Sequence, residues 1–161
     1  KKFGETDLAK DYEEGAKKIR SAMDKHLYLP QENRFARMLY RKEDGTAAID
    51  STIDASIFGA FYFGAYNPDE GVIQSTMKQV FEALEINGGQ MRYPDDPYYR
   101  IYDGAPSNPW FITTLWKAQY LIASAKTLEA LQGALDILEW VADHALPSGV
   151  LEEQLHAETL E

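Results

Sequence analysis

The chain has 161 residues, 45% of them hydrophobic, 12% aromatic and 26% charged, a balance that excludes a disordered segment and suffices for a sizeable core. Sixteen basic against 26 acidic residues leave a net charge of −10. That argues against nucleic-acid partners and anionic membrane surfaces, which reward clustered Lys and Arg. With no cysteine, disulfides, thiolate metal sites and cysteine nucleophiles are excluded.

Residues 6–27 carry apolar side chains at Leu8, Tyr12, Ala16, Ile19, Met23 and Leu27, a single helical stripe. Thr6 or Asp7 is placed to cap its start. Residues 28–50, interrupted by Pro30, Asn33 and Gly45, read as extended or irregular, with Asp44-Gly45 as a turn. Residues 53–66 (IDASIFGAFYFGAY) predict a helix that is apolar nearly all round, with one carboxylate at Asp54, ending at Asn67-Pro68. Residues 71–86 predict an amphipathic helix with Ile73, Met77, Val80, Phe81 and Leu84 inward. A second pair begins at Asn108-Pro109, where proline suits a first helical turn. Residues 110–123 (WFITTLWKAQYLIA) are again apolar on most sides, and Thr127 caps an amphipathic helix over residues 128–145. Leu146-Pro147-Ser148-Gly149 stops it.

A helix that is apolar all round must be enclosed, whereas a one-stripe helix keeps a face in water. The alternation predicts an all-α fold. It fits either an inner ring of helices wrapped by an outer ring, an α/α toroid, or a generic helical bundle. No apolar run reaches the roughly 18 residues of a spanning helix, and no signal peptide is visible.

Between the two pairs lies NGGQMRYPDDPYYRIYDGAPS, residues 87–107. A link of about 20 residues without secondary structure is usually functional or disordered, and this one is too aromatic for a disordered linker. Arg92, Arg100, Asp95, Asp96 and Asp103 supply directional hydrogen bonds, and Tyr93, Tyr98, Tyr99 and Tyr102 supply apolar platforms with polar tips. That mixture suits a carbohydrate, and it also suits a loop stitched to itself. Glu152 and Glu153, adjacent after the last helix, fit a catalytic base or a solvated turn. His26, His144 and His156 lack zinc-ligand spacing, and Asp95, Asp96 and Asp103 lack calcium-loop spacing, so no metal or cofactor is expected.

Four segments resemble the glucoamylase family of glycoside hydrolases, which includes glucodextranase and prokaryotic trehalase-like enzymes. They are Thr52-Ile53-Asp54-Ala55-Ser56, Arg92-Tyr93-Pro94-Asp95-Asp96-Pro97-Tyr98-Tyr99, Asn108-Pro109-Trp110-Phe111 and Ser148-Gly149-Val150-Leu151-Glu152-Glu153-Gln154, in the family's order. The resemblance implies a partial (α/α)6 toroid and inverting, exo-acting hydrolysis of α-glucosidic bonds. Carried over residue by residue, Glu153 matches the general base, and Arg92 matches the arginine that binds the terminal sugar. Asp96 matches an acid that fixes that arginine, Tyr98 and Trp110 match aromatic wall positions, and Gln154 completes the Glu-Gln pair. Asp54 reads as a helix cap.

Nothing matches the family's general acid, and the first helix pairs are missing. Together with Lys1 in place of a methionine and the terminal Leu160-Glu161, this implies one segment, residues 1–161, of a larger catalytic domain. Such a segment is expected to be inactive alone, to lack the remainder of its own domain as a partner and to self-associate through uncovered apolar faces. The expected ligand is an α-linked glucoside or oligosaccharide and the expected compartment the cytoplasm. The rival readings are a non-catalytic glucoamylase-like regulatory or scaffolding module and a free-standing helical interaction domain.

Overall fold

The computed structural model describes residues 2–161. It is helix-rich, with 44% of its residues helical in five α-helices and two 3-10 turns. Helix α1 spans Thr6–His26, but none of its residues is buried. Leu8, Tyr12 and Ile19 of its stripe lie in the open, and only Met23 and, just past the helix, Leu27 pack on the core. Polar anchors hold it instead. Arg20 donates to the Ala65 carbonyl at 2.6 Å, pairs with Glu70 and lies 4.2 Å over the Tyr66 ring. The cap position is Glu5, without a side-chain bond, so neither Thr6 nor Asp7 performs the capping expected of it.

The irregular stretch that follows is two small antiparallel hairpins. Strand β1 (Tyr28–Leu29) pairs with β2 (Arg34–Phe35), and β3 (Met38–Arg41) with β4 (Ala47–Asp50). Asp44-Gly45 forms the expected turn, with Asp44 Oδ1 accepting the Thr46 N–H at 2.8 Å. The predicted helix over 53–66 is much shorter. Asp54 caps a 3-10 turn, Ala55–Phe58, by accepting the Ser56 N–H at 2.7 Å, and α2 covers only Gly59–Tyr62. Gly64, at φ +75°, reverses the chain in a conformation that glycine adopts without strain. The Tyr66 N–H then returns to the Ala60 carbonyl at 3.1 Å, closing the end.

Helix α3, Gly71–Ala83, buries Ile73, Met77 and Val80 as its stripe predicts. They form the main core with Phe35, Phe58, Tyr66, Leu84 and Tyr120. The helix stops short of 86 because β5 (Glu85–Ile86) turns into β6 (Gly89–Gln90). Helix α4, Phe111–Ser124, starts later than the sequence implies, since Trp110 is extended at its cap position. A 3-10 turn, Glu129–Leu131, leads into α5, Gln132–Asp143; Thr127 Oγ1 accepts the Ala130 N–H at 3.2 Å within that turn, but the cap position of α5 is Leu131, so Thr127 does not cap the helix as expected. Phe111 at the start of α4 packs with Val141 near the end of α5, while Leu121 meets Gly133, so the two helices run antiparallel. Among the described residues no helix is long and apolar enough to cross a membrane.

Candidate functional site

Three distant stretches meet at Trp110. Its backbone forms antiparallel bridges to Gln90 on one side and Gln154 on the other. The Trp110 N–H donates to the Gln90 carbonyl at 2.9 Å, and the Leu155 N–H donates to the Pro109 carbonyl at 3.0 Å. Buried hydroxyls lock the joint: Thr113 donates to the Gln90 carbonyl at 2.5 Å and Thr114 to the Trp110 carbonyl at 2.6 Å. This demand on the Trp110 backbone is what delays the start of α4. Asn108 adds a cross-tie, donating to the Tyr99 carbonyl at 3.1 Å and accepting the Ala157 N–H at 3.1 Å. Among the described residues, Gln90 Oε1, Trp110 Nε1 and Gln154 Oε1 are buried side-chain atoms without a hydrogen-bond partner. Such atoms are uncommon in folded proteins, and here they fall on the three bridged residues.

The site's central cation is Arg92, which follows β6. Its guanidinium donates from Nε to Asp96 Oδ2 at 2.6 Å and from one terminal nitrogen to Asp96 Oδ1 at 2.8 Å, a bidentate pair. The guanidinium carbon lies 4.0 Å from the Trp110 ring centre, 5.0 Å from that of Tyr98 and 5.6 Å from that of Tyr93. Asp96 is 2% exposed, and its Oδ1 also accepts the Tyr98 N–H at 3.1 Å. Burial pushes the Asp96 carboxyl up, but the Arg92 hydrogen bond, the Tyr98 N–H and the Arg92 charge hold it below the usual carboxylate range. The same hydrogen bond keeps the Arg92 guanidinium protonated against the opposing effect of burial. Arg100 braces the loop from behind, donating to the Asp96 carbonyl at 2.6 Å and to Ser107 Oγ at 3.0 Å.

A cleft of about 340 Å³ opens beside this pair, lined by Arg37, Asp54, Arg92, Tyr93, Trp110 and Trp116, among others. Arg92 and Trp110 therefore line it, while Asp96 stands behind Arg92. Tyr98, half-exposed, flanks the guanidinium, with its ring 5.6 Å from that of Trp110. Gln154 sits beside Trp110 through its bridge. Glu153 is exposed on the same segment, and its charge acts on Arg92. Glu152 is exposed too.

Two cleft residues escape a reading of the sequence. Asp54 does cap its turn, yet it also pairs with Arg37 Nε at 3.1 Å. Arg37 lies 5.0 Å over the Tyr93 ring, which Arg92 also approaches at 5.6 Å. The lone carboxylate in an apolar run is a visible signal for Asp54. Arg37 carries none, because its partner comes from a different element. The Ala55 N–H donates to the Arg92 carbonyl at 2.7 Å, tying the two halves of the cleft.

No protein-family model matches the chain. It is 30% identical, over 98% of its own length, to an uncharacterized glycosyl hydrolase of Methanocaldococcus jannaschii. Over 69% of its length it is 30% identical to the isomaltose glucohydrolase of Kribbella flavida. The chain is a homologue of a glycosyl hydrolase and of an isomaltose glucohydrolase. It spans about a quarter of these relatives, 25% of one and 26% of the other. Among solved structures, a wild-type glycosidase superposes with a TM-score of 0.69 at 24% identity, over 88% of this chain and 33% of its own. A bacterial glucoamylase complexed with acarbose superposes with a TM-score of 0.71 at 19% identity, over 99% of this chain and 27% of its own. Those two likenesses concern the fold.

Proposed function

We propose that the chain is the base-bearing part of an inverting, exo-acting α-glucoside hydrolase. The observation that carries this reading is the Arg92–Asp96 pair. A buried carboxylate takes two guanidinium hydrogen bonds, which leaves the other terminal nitrogen of Arg92 to meet hydroxyls in an aromatic-walled cleft. Arg92 binds the terminal sugar, Asp96 fixes Arg92, and Tyr98 and Trp110 form the aromatic surround. Gln154 holds the neighbouring segment against Trp110, and Glu153, exposed, activates the attacking water. Arg37, oriented by Asp54, offers further N–H groups to the same cleft.

Inversion needs a second carboxyl about 6.5–9.5 Å from the base, leaving room for a water. We assign that acid to a part of the ring outside this chain. Residues 1–161 would then form one segment of an (α/α)6 toroid, with α4 as an inner helix and α5 as its outer partner. Water is positioned by the chain, but the leaving oxygen goes unprotonated, so the chain alone is inert.

The test has two arms. Incubated with maltose, isomaltose and trehalose, the 161-residue chain should release no glucose, and robust turnover would overturn the divided acid–base pair. In the full-length protein, Glu153→Gln should abolish hydrolysis while sugar binding persists. Full-length protein that binds α-glucosides without cleaving them would favour a non-catalytic module.

A further inference from the structure

A second cavity, of about 500 Å³, lies away from Arg92 on the groove between α3 and α4. Phe81 and Leu121 give it apolar walls, and Lys117 of α4 projects into it, half-buried. The other charged groups facing it are Lys78, Glu82 and Glu85. Lys78 and Glu82 engage each other at 3.9 Å, and the Tyr120 hydroxyl donates to the Pro68 carbonyl at 3.0 Å. Lys117 has neither a hydrogen bond nor an ion pair among the described residues. Burial pulls its ammonium below the usual lysine range, opposed only by the charge of Glu85. A larger share of Lys117 than of a solvated lysine is therefore the free amine, which is the nucleophilic form.

We infer that Lys117 is a covalent modification site for small reducing sugars, which the cavity seats and whose open-chain aldehyde the amine attacks. The Nζ lone pair forms a bond to the aldehyde carbon, giving a carbinolamine. The former carbonyl oxygen then leaves as water with the two protons that the nitrogen gives up, and a C=N bond remains. No oxidant or reductant is consumed. Glu82 and Glu85, which line the cavity, relay those protons, while Phe81 offers an apolar face to the sugar's C–H groups. The amine's reactivity comes from the half-buried position of Lys117 in the cavity and does not depend on the hydrolase reading. Only the choice of an aldose rests on the hydrolase reading, since an exo-acting glucosidase releases a reducing sugar.

The experiment incubates the 161-residue chain with ¹³C-labelled glucose and cyanoborohydride near neutral pH and maps adducts by peptide mass spectrometry. The expected result is a hexitol adduct on Lys117 in several-fold excess over Lys78, which borders the same cavity, and its loss in Lys117→Arg with the circular dichroism unchanged. Equal labelling of the two lysines would overturn the inference. So would an excess on Lys117 with formaldehyde but not with glucose, because the amine would then be reactive without the cavity seating a sugar. The labelling requires no glycoside cleavage. A chain that fails to bind maltose yet labels at Lys117 would sink the hydrolase reading and leave this one standing.

Discussion

Arg92 is aimed by a carboxylate that it cannot easily lose. Removing the Asp96 side chain leaves a part-buried guanidinium without its two charged hydrogen bonds and strips the Tyr98 N–H of its acceptor. We expect Asp96→Ala to cost about 2–3 kcal/mol in urea unfolding, the scale of lost hydrogen bonds to charged groups. Under the proposed function, Arg92→Ala should abolish quenching of tryptophan fluorescence by maltose, and Arg92→Lys should restore little of it, because an ammonium lacks the fork that Asp96 grips. The pH dependence follows from the lowered Asp96 carboxyl. A group whose folded value lies below its unfolded one, about 3.9, contributes stability above that pH and loses it as the pH falls through the folded value. Thermal melts should therefore fall on acidification below about pH 4, with a shallower slope in Asp96→Asn, whose Tm near neutrality is already reduced.

At the scale of elements, the joint around Trp110 depends on two glycines. A Cβ on Gly89 would lie 2.6 Å from Pro109 Cβ and 2.9 Å from the Trp140 ring, and one on Gly88 would lie 2.6 Å from that ring while the backbone sits at φ +87°. Gly89→Ala should cost roughly 1–3 kcal/mol, the range for overpacking a filled interior, and should perturb the Trp110 and Gln154 amide resonances in NMR spectra more than those of α1. The helix boundaries carry the same lesson. Periodicity finds α3, α4 and α5 because each has a face to bury. It overruns α2 and α3 because it does not register the reversal at Gly64 or the tight hairpin after Leu84. It starts α4 too early because pairing of Trp110 with Gln90 and Gln154 is a tertiary event.

Across the whole molecule, the uncovered apolar surface stands out. Tyr12 is 69% exposed and Phe63 83%, with Leu8, Ile19, Tyr62, Ile112 and Ile122 also in the open. Surface of this kind associates. Sedimentation velocity should show the average mass of the 161-residue chain rising with concentration, and Tyr62→Ser with Phe63→Ser should lower that tendency. An unchanging monomer mass over a wide concentration range would contradict it. Tyr62, Phe63, Ile112 and Ile122 belong to the runs that the sequence marks as enclosed, consistent with the proposed ring segment whose neighbours lie outside this chain, while Leu8, Tyr12 and Ile19 leave the stripe of α1 bare.

Local chemistry determined a good part of this protein. Apolar spacing placed the longer helices and Asp44-Gly45 its turn, because these depend on residues a few positions apart, while the family resemblance of residues 92–99 picked Arg92 and Asp96 out of the charged and aromatic 87–107 loop. The cleft did not depend on local chemistry. Arg37 meets Asp54, the Ala55 N–H meets the Arg92 carbonyl, and Gln90, Trp110 and Gln154 align only once α3, α4 and the chain end are packed together. Such contacts join residues far apart in sequence, and no spacing records them. The tertiary structure decided them because burying the Ile73, Met77 and Val80 face and filling the space around Gly88-Gly89 leave the backbone one close-packed way to bring those segments together.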